Sequence, residues 1–237
     1  MKKKRQMNTN KLEENLGVVI KNKELLKVAL THRSFLNENR GEDKQNERME
    51  FLGDAVLELI ISEYLYNNFP DREEGDLTSF RSALVRTESL AQASRELNVG
   101  PHLRLAKGEE DSGGQDKDYI LANAFEAILG AIYLDQGYEV AKNLVYRLLI
   151  PRIDEIVKNR LDIDGKTRIQ EMAQEHYKIT PIYEVIKEEG PDHDKVFTVV
   201  VKFEDKQIAQ GIGSSKQRAE EDAAQKGIEY INKSLNK

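Results

Sequence analysis

The sequence contains no cysteine and no tryptophan. Without cysteine there is no disulfide framework and no thiolate-ligated zinc or iron–sulfur site. That composition is consistent with a reducing compartment. No apolar run approaches the roughly 18 residues that a membrane helix needs. The chain begins M-K-K-K-R-Q, and no apolar h-region follows, so this start does not read as a secretory signal. These absences predict a soluble, cytoplasmic protein with no membrane partner. The four histidines, at 32, 102, 176 and 193, include no pair with zinc-helix spacing. No Ser/His/Asp or Cys/His constellation is present, and no organic small-molecule cofactor is expected. Positive charge is not in excess either: 36 Lys and Arg stand against 42 Asp and Glu, a formal net charge of −6. Bulk charge alone argues against nucleic acid.

The local distribution says more. Residues 40–76 carry eleven acids and four bases, and residues 109–126 carry six acids and one base. Two solvated acidic surfaces are the ordinary meaning of such runs. If the fold brings them together, they suit a divalent cation, because hard cations take carboxylate oxygens.

The length, 237 residues, fits one large domain or two smaller ones. The patterning favours two: residues 8–158, a linker over 159–164, and residues 165–235. The first reads as consecutive helices with no strand-like alternation, hence all-α. Residues 46–69 predict one long helix ended by Pro70. A second is expected from Gly75 and Asp76 to about Leu97, with Asp76 as N-cap. Gly100-Pro101 breaks the chain, and residues 106–118 read as a polar, Gly-rich loop. Helices are expected over 119–135 and 138–158, the second kinked or split by Pro151. After the linker come a helix over 166–177, strands over 182–188, 196–203 and 206–212, and a helix over 216–233. That order, α-β-β-β-α, is an α+β domain.

In the stretch N-E-R-M-E-F-L-G-D-A-V-L-E-L-I-I, residues 46–61, Glu47, Glu50 and Asp54 fall within about 60° of one another on one helix face. The residues around them are apolar, as in a helix buried on most sides. Glu50 and Asp54 are therefore expected where a lone carboxylate is costly and needs a partner, a proton or a metal. In residues 119–134, Y-I-L-A-N-A-F-E-A-I-L-G-A-I-Y-L, the only carboxylate is Glu126, with Asn123 three residues earlier on the same face. Taken alone, Glu126 is either salt-bridged in the core or a ligand. Its likeness to Glu50 and Asp54 shifts the balance toward a shared metal, with Asn123 offering a neutral carbonyl oxygen.

The segment over residues 46–57 closely resembles the signature of bacterial ribonuclease III. T-H-R-S-F-L-N-E (31–38), E-G-D-L-T-S-F-R-S-A-L-V (74–85) and I-L-A-N-A-F-E-A-I-L-G-A-I-Y-L-D (120–135) resemble their counterparts there, in the same order. The α-β-β-β-α part resembles a double-stranded RNA-binding domain. The resemblance implies an all-α endonuclease domain that forms a homodimer. It implies that Glu50, Asp54, Asn123 and Glu126 bind Mg²⁺, with Mn²⁺ able to substitute, and that Asp54 and Glu126 carry the hydrolysis. Most members have Asp where this chain has Asn123. Asn keeps an oxygen ligand but lacks the charge and cannot act as a base. Glu47 and Glu74 match supporting acids of the cleft. Phe51, which on composition alone would be core, matches a residue that contacts the partner subunit. His32 reads as a structural histidine in an apolar neighbourhood.

Phosphodiester hydrolysis builds negative charge on the phosphoryl and departing oxygens. A pair of metal ions about 3.5–4 Å apart would serve both the attacking and the leaving oxygen.

In the second domain Thr167, Gln170, Glu171 and Gln174 share one helix face, which by itself is an ordinary solvated face. The resemblance makes it a contact to the wide minor groove of A-form RNA, Gln170 and Glu171 above all. It places His193, in the loop over residues 190–195, in the next minor groove. Lys216 and Arg218 open a helix, where backbone N–H groups already favour phosphate. Gln217 stands where the family commonly has a second lysine.

The expected activity is that of an endoribonuclease acting on double-stranded RNA. It leaves 5′-phosphate and 3′-hydroxyl ends with short 3′ overhangs, in the processing of ribosomal RNA precursors and other transcripts. The alternative is a non-catalytic double-stranded RNA-binding protein that keeps the fold, and Asn123 is the feature in its favour. A helical phosphohydrolase acting on small phosphates would leave the second domain unexplained.

Overall fold

The computed structural model describes residues 9–39, 44–160, 162, 165–191 and 195–235. The chain divides into two compact units, Met1–Lys158 and Asn159–Lys237.

The first unit is helical. Its described elements begin with α1 (Asn10–Leu16), α2 (Lys23–Ala29), α3 (Arg33–Glu38) and α4 (Glu47–Asn68). They continue through α5 (Glu74–Val85), α6 (Thr87–Glu96), α7 (Lys107–Asp111), α8 (Asp118–Gln136), α9 (Tyr138–Leu148) and α10 (Ile153–Asn159). The centre is α8. It buries Ile120, Leu121, Phe125, Ile128, Leu129 and Ile132, and α2, α4, α6 and α9 pack around it. A helix apolar on nearly every side has no solvent face to offer, so it takes the middle position. Gly137, with φ +84, ends it. The only β pairing among the described residues of this unit is an isolated parallel bridge between Thr31 and Arg104.

The long helix ends where expected. Phe69, held in a non-helical conformation ahead of Pro70, closes α4. Pro151 splits the last segment into α9, a 3₁₀ turn over Ile150–Arg152, and α10.

Three expectations are corrected. The helix expected to run from Gly75 to Leu97 is two helices, broken at Arg86 in an extended conformation (φ −60°, ψ 152°). No glycine or proline marks the break. Beyond it, α6 lays Leu90, Ala91, Ala93 and Ser94 inward, and Ser94 Oγ donates to the Leu121 carbonyl of α8 at 2.7 Å. Asp76 is not the N-cap of α5: it lies in the first turn, 3.6 Å from Arg72. The stretch over 106–118 is not all loop, since it contains α7 and a 3₁₀ turn over Gly114–Asp116.

The second unit is α11 (Gly165–Tyr177), β1 (Ile182–Glu189), β2 (Val196–Phe203), β3 (Lys206–Gly213) and α12 (Lys216–Leu235). The strands form an antiparallel sheet in the order β1-β2-β3. Both helices share a core with the sheet through Ile169, Ala173, Val201, Phe203, Ala223, Ala224, Ile228 and Ile231. A Cβ at Gly211 would lie 2.2 Å from the Ala219 carbonyl, so only glycine lets α12 lie this close to β3. The fold class is the expected one, an all-α domain followed by an α-β-β-β-α domain.

Candidate functional site

The site lies on the seam between α4 and α8. Two glycines set the seam's depth. A Cβ on Gly53 would sit 1.8 Å from the Glu126 carbonyl oxygen, and one on Gly130 would sit 2.5 Å from the Met49 carbonyl oxygen. Each glycine therefore receives the backbone of the other helix. Glu50 precedes Gly53 by three residues and Asp54 follows it, while Asn123 and Glu126 lie within two turns of Gly130 on α8. Backbone contact of this kind brings the four polar side chains together.

Their electrostatics show that proximity. Burial first, then the charges of Asp54 and Glu50, push the Glu126 carboxyl up to about 8. Burial and the charge of Glu47 also raise Glu50 above the usual carboxylate range, with Asp54 adding to the effect. The Asn123 carboxamide beside it pulls the other way. Glu126 has no ion pair among the described residues, so the salt-bridged alternative for this side chain does not hold.

The cluster is short of positive charge and rich in hard oxygen donors. Carboxylate and carboxamide oxygens are the ligands that Mg²⁺ accepts while keeping several of its waters, so the donor set fits a hard divalent cation. Among the described residues no three Asp, Glu or His side chains are gathered tightly enough to enclose an ion by themselves.

The burial expected for α4 is corrected. Only one face is buried: Gly53, Val56, Leu57, Ile60, Ile61 and Leu65. Glu50 is half-buried and Asp54 is exposed. The other face carries Phe51, 80% exposed, together with Ala55, Leu59 and Tyr66, all exposed. Phe51 is not part of the protomer's core.

A cleft of about 800 Å³ opens beside the seam, and Glu47, Glu50, Asn123, His32 and Arg33 are among the residues that line it. Glu47 is exposed, and its carboxylate is 3.9 Å from the Arg33 guanidinium. Glu74 does not line this cleft; it sits exposed at the start of α5, accepting a hydrogen bond from Thr78 Oγ1 at 3.1 Å. The segment that carries His32 and Arg33 is firmly held. Arg104 stacks over the Phe35 ring at 4.1 Å and donates to Thr31 Oγ1 at 2.8 Å. Ala106 N–H donates to Ser34 Oγ at 3.0 Å.

His32 occupies the N-cap position of α3, its Nδ1 accepting from the Ser34 N–H at 3.3 Å. It thus caps a helix, and it also lines the cleft, which its apolar sequence neighbourhood did not reveal. The glycines of the seam were missed as well. The available signal was their position: a glycine inside a helix costs about 1 kcal/mol relative to alanine, and each stands within four residues of a candidate ligand.

In the second unit Thr167, Gln170, Glu171 and Gln174 are all exposed on one face of α11, while Ile169 and Ala173 bury the other. Glu171 lies 3.4 Å from Arg160. Lys216 pairs with Glu188 at 3.0 Å and stands over the Phe197 ring, and Arg218 Nη1 donates to Ser214 Oγ at 3.2 Å. Both cations remain exposed. His193 lies outside the described residues.

Two families match the chain. One described as Ribonuclease-III-like covers residues 22–153, and the double-stranded RNA binding motif covers residues 166–231. The chain is 49% identical over 223 residues to ribonuclease 3 of Desulforamulus reducens, spanning 94% of this chain and 91% of that one. It is 48% identical over 218 residues to ribonuclease 3 of Pelotomaculum thermopropionicum, spanning 92% and 90%. Among solved structures it resembles the nuclease domain of ribonuclease III from Campylobacter jejuni, described with flexibility in a region involved in dimer formation. The identity is 45% and the TM-score 0.57, over 61% of this chain and 97% of that one.

Proposed function

The chain belongs to the ribonuclease III family, and on that premise we propose that it is an endoribonuclease acting on double-stranded RNA. Its cofactor is Mg²⁺, for which Mn²⁺ can substitute. Its products carry 5′-phosphate and 3′-hydroxyl ends with short 3′ overhangs, and it acts in the cytoplasm on ribosomal RNA precursors and other transcripts. The observation that carries this reading is Glu126, pushed up to about 8 by burial and by the charges of Asp54 and Glu50, with no cation among the described residues to relieve it.

Glu50, Asp54, Asn123 and Glu126 would hold the metal. Bound there, it supplies an activated water and stabilises charge on the phosphoryl and leaving oxygens. The chain's own residues do the rest. The Gly53–Gly130 crossing fixes the spacing of the ligands, and Glu47 adds negative potential at the cleft. The exposed face of α11 reads the minor groove by shape, with His193 entering the next one, and Lys216 and Arg218 bind phosphate. The apolar face of α4 around Phe51 joins two copies, since a contiguous exposed apolar stripe of this kind marks an interface.

The test is cleavage of a long, perfectly paired RNA in Mg²⁺ and in EDTA, beside a single-stranded control. Cutting of the duplex alone, only with metal, is expected. Tight duplex binding without cutting, in Mg²⁺ and Mn²⁺ alike, would move the assignment to the RNA-binding protein that Asn123 favours.

A further inference from the structure

The hydrogen bonds around His32 fix which of its nitrogens carries the proton. Nδ1 accepts from the Ser34 N–H at 3.3 Å, so it holds no hydrogen of its own. It also lies 2.8 Å from Ser34 Oγ. Because Nδ1 has none, the hydrogen between these two atoms is the Ser34 hydroxyl's, while Ser34 Oγ accepts from the Ala106 N–H at 3.0 Å. The neutral ring therefore carries its hydrogen on Nε2. Burial holds the imidazole below its ordinary value, so it is neutral at pH 7.

Nε2 has no hydrogen-bond partner among the described residues, yet it is not among the buried unsatisfied atoms. It is thus a free donor that reaches solvent from a half-buried ring in the wall of the cleft. Glu50 and Asn123 line the same cleft, as does Glu109, which is paired with Lys117 at 2.6 Å. The cleft thus holds a fixed donor and the Arg33 guanidinium together with candidate ligands of a hard cation. A group that satisfies both accepts hydrogen bonds, binds metal and carries negative charge. A phosphodiester does all three.

We propose that His32 is a substrate-binding residue whose Nε2–H donates to a non-bridging phosphate oxygen of the RNA strand lying in the cleft. The assignment rests on the nuclease reading. Ser34 is the positioning residue, since it holds the tautomer. The donor acts by binding: it holds the backbone beside the candidate metal ligands and takes no proton during the reaction. Its loss should therefore raise KM and leave kcat largely intact.

Two variants of the full chain separate the donor from the cap. His32→Asn keeps a preferred capping acceptor for the Ser34 N–H but has nothing where Nε2 stood. His32→Gln places an amide N–H near the Nε2 position and caps poorly. Kinetics on duplex RNA in Mg²⁺ and thermal melting should move in opposite directions. His32→Asn is expected to melt within a few degrees of the parent and to raise KM about tenfold, the weight of one hydrogen bond to a charged acceptor, with kcat within about twofold. His32→Gln is expected to melt lower and yet to have a KM closer to the parent. A His32→Asn protein with the parent's KM would overturn the assignment, as would KM changes that follow the melting temperatures. Failure of the parent chain to cut duplex RNA would instead remove the nuclease reading, and this assignment with it.

Discussion

Glu126 and Glu13 are both buried or half-buried carboxylates, and their environments drive them in opposite directions. Glu13, 6% exposed, is opposed by burial but receives Lys23 Nζ at 2.5 and 2.6 Å, the Ile20 N–H at 2.6 Å and Thr9 Oγ1 at 3.2 Å. Together these hold it below the usual carboxylate range. Its contribution to stability is therefore complete above its unfolded value of 4.5 and is lost as pH falls through the depressed folded value. Glu13→Gln should cost about 2–3 kcal/mol at pH 7, less than the full cost of breaking a buried pair because Lys23 is half exposed. The cost should shrink in denaturant titrations repeated at successively lower pH below 4.5. Glu126 has the opposite sign. Its folded value of about 8 lies above the unfolded 4.5, so the metal-free protein loses stability as pH rises through that window. Glu126→Gln removes that burden. In EDTA its melting temperature should exceed the parent's by a margin that grows between pH 5 and pH 8. Duplex cleavage in Mg²⁺ should fall by at least about 10²-fold, since losing even a supporting partner of a metal site costs up to that much. A variant that instead unfolds at both pH values would make Glu126 a structural residue.

The decisive elements are α4 and α8, and two competing energies meet at their crossing. Gly53→Ala would gain about 1 kcal/mol of helix propensity. The added methyl would stand 1.8 Å from the Glu126 carbonyl oxygen, and that atom belongs to backbone that cannot swing aside. Overpacking against rigid neighbours costs about 3 kcal/mol, so repulsion wins. The variant should melt markedly lower and cleave poorly even where it stays folded, because the helices that carry the proposed ligands are forced apart. Melting curves with cleavage assays below the transition check this, and an unchanged melting temperature would disprove the close crossing. Much at this scale was legible in the sequence. Pro70 and Pro151 announced their breaks because proline removes a donor wherever it stands, and β-branched and aromatic runs marked β1 and β2. The break at Arg86 was not legible, since Val85-Arg86-Thr87 is compatible with helix and the turn comes from α6 packing onto α8. The crossing was not legible either, because a helical glycine does not say which backbone approaches it. Of the candidate site, the acidic set could be read from isolated charges among apolar neighbours. The cleft position of His32 depends on a local cap at Ser34 and on contacts with the 104–106 segment, which is remote in sequence.

On the scale of the whole molecule, apolar patterning cannot tell a core from an interface, since both remove the same surface from water. That is why α4 reads as buried all round while the protomer exposes Phe51, Leu59 (58%) and Tyr66 (76%). The stripe runs along a helix of 22 residues, about 33 Å at 1.5 Å per residue. That length is enough for two copies to bury the roughly 1,000 Å² or more that a stable pair needs. Phe51→Glu should therefore yield a species of one chain mass in sedimentation equilibrium at micromolar concentration, where twice that mass is expected for the parent. Its melting temperature should fall as the partner's contribution to stability is lost, yet the monomer should still unfold cooperatively, because Phe51 lies outside the protomer's core. Asp54 extends the consequence to the proposed metal site. It is exposed in the protomer, three residues along the same helix from Phe51 and next to Gly53. Pairing of the stripes would take water from around Asp54, and a drier acidic cluster attracts a divalent cation more strongly. Affinity for a partner and affinity for metal are then linked, and linkage is reciprocal. The monomeric variant should need several-fold more Mg²⁺ for half-maximal cleavage, and Mg²⁺ should tighten the parent dimer. A Phe51→Glu protein that is monomeric yet has the parent's Mg²⁺ titration would separate the two and confine the stripe to assembly alone.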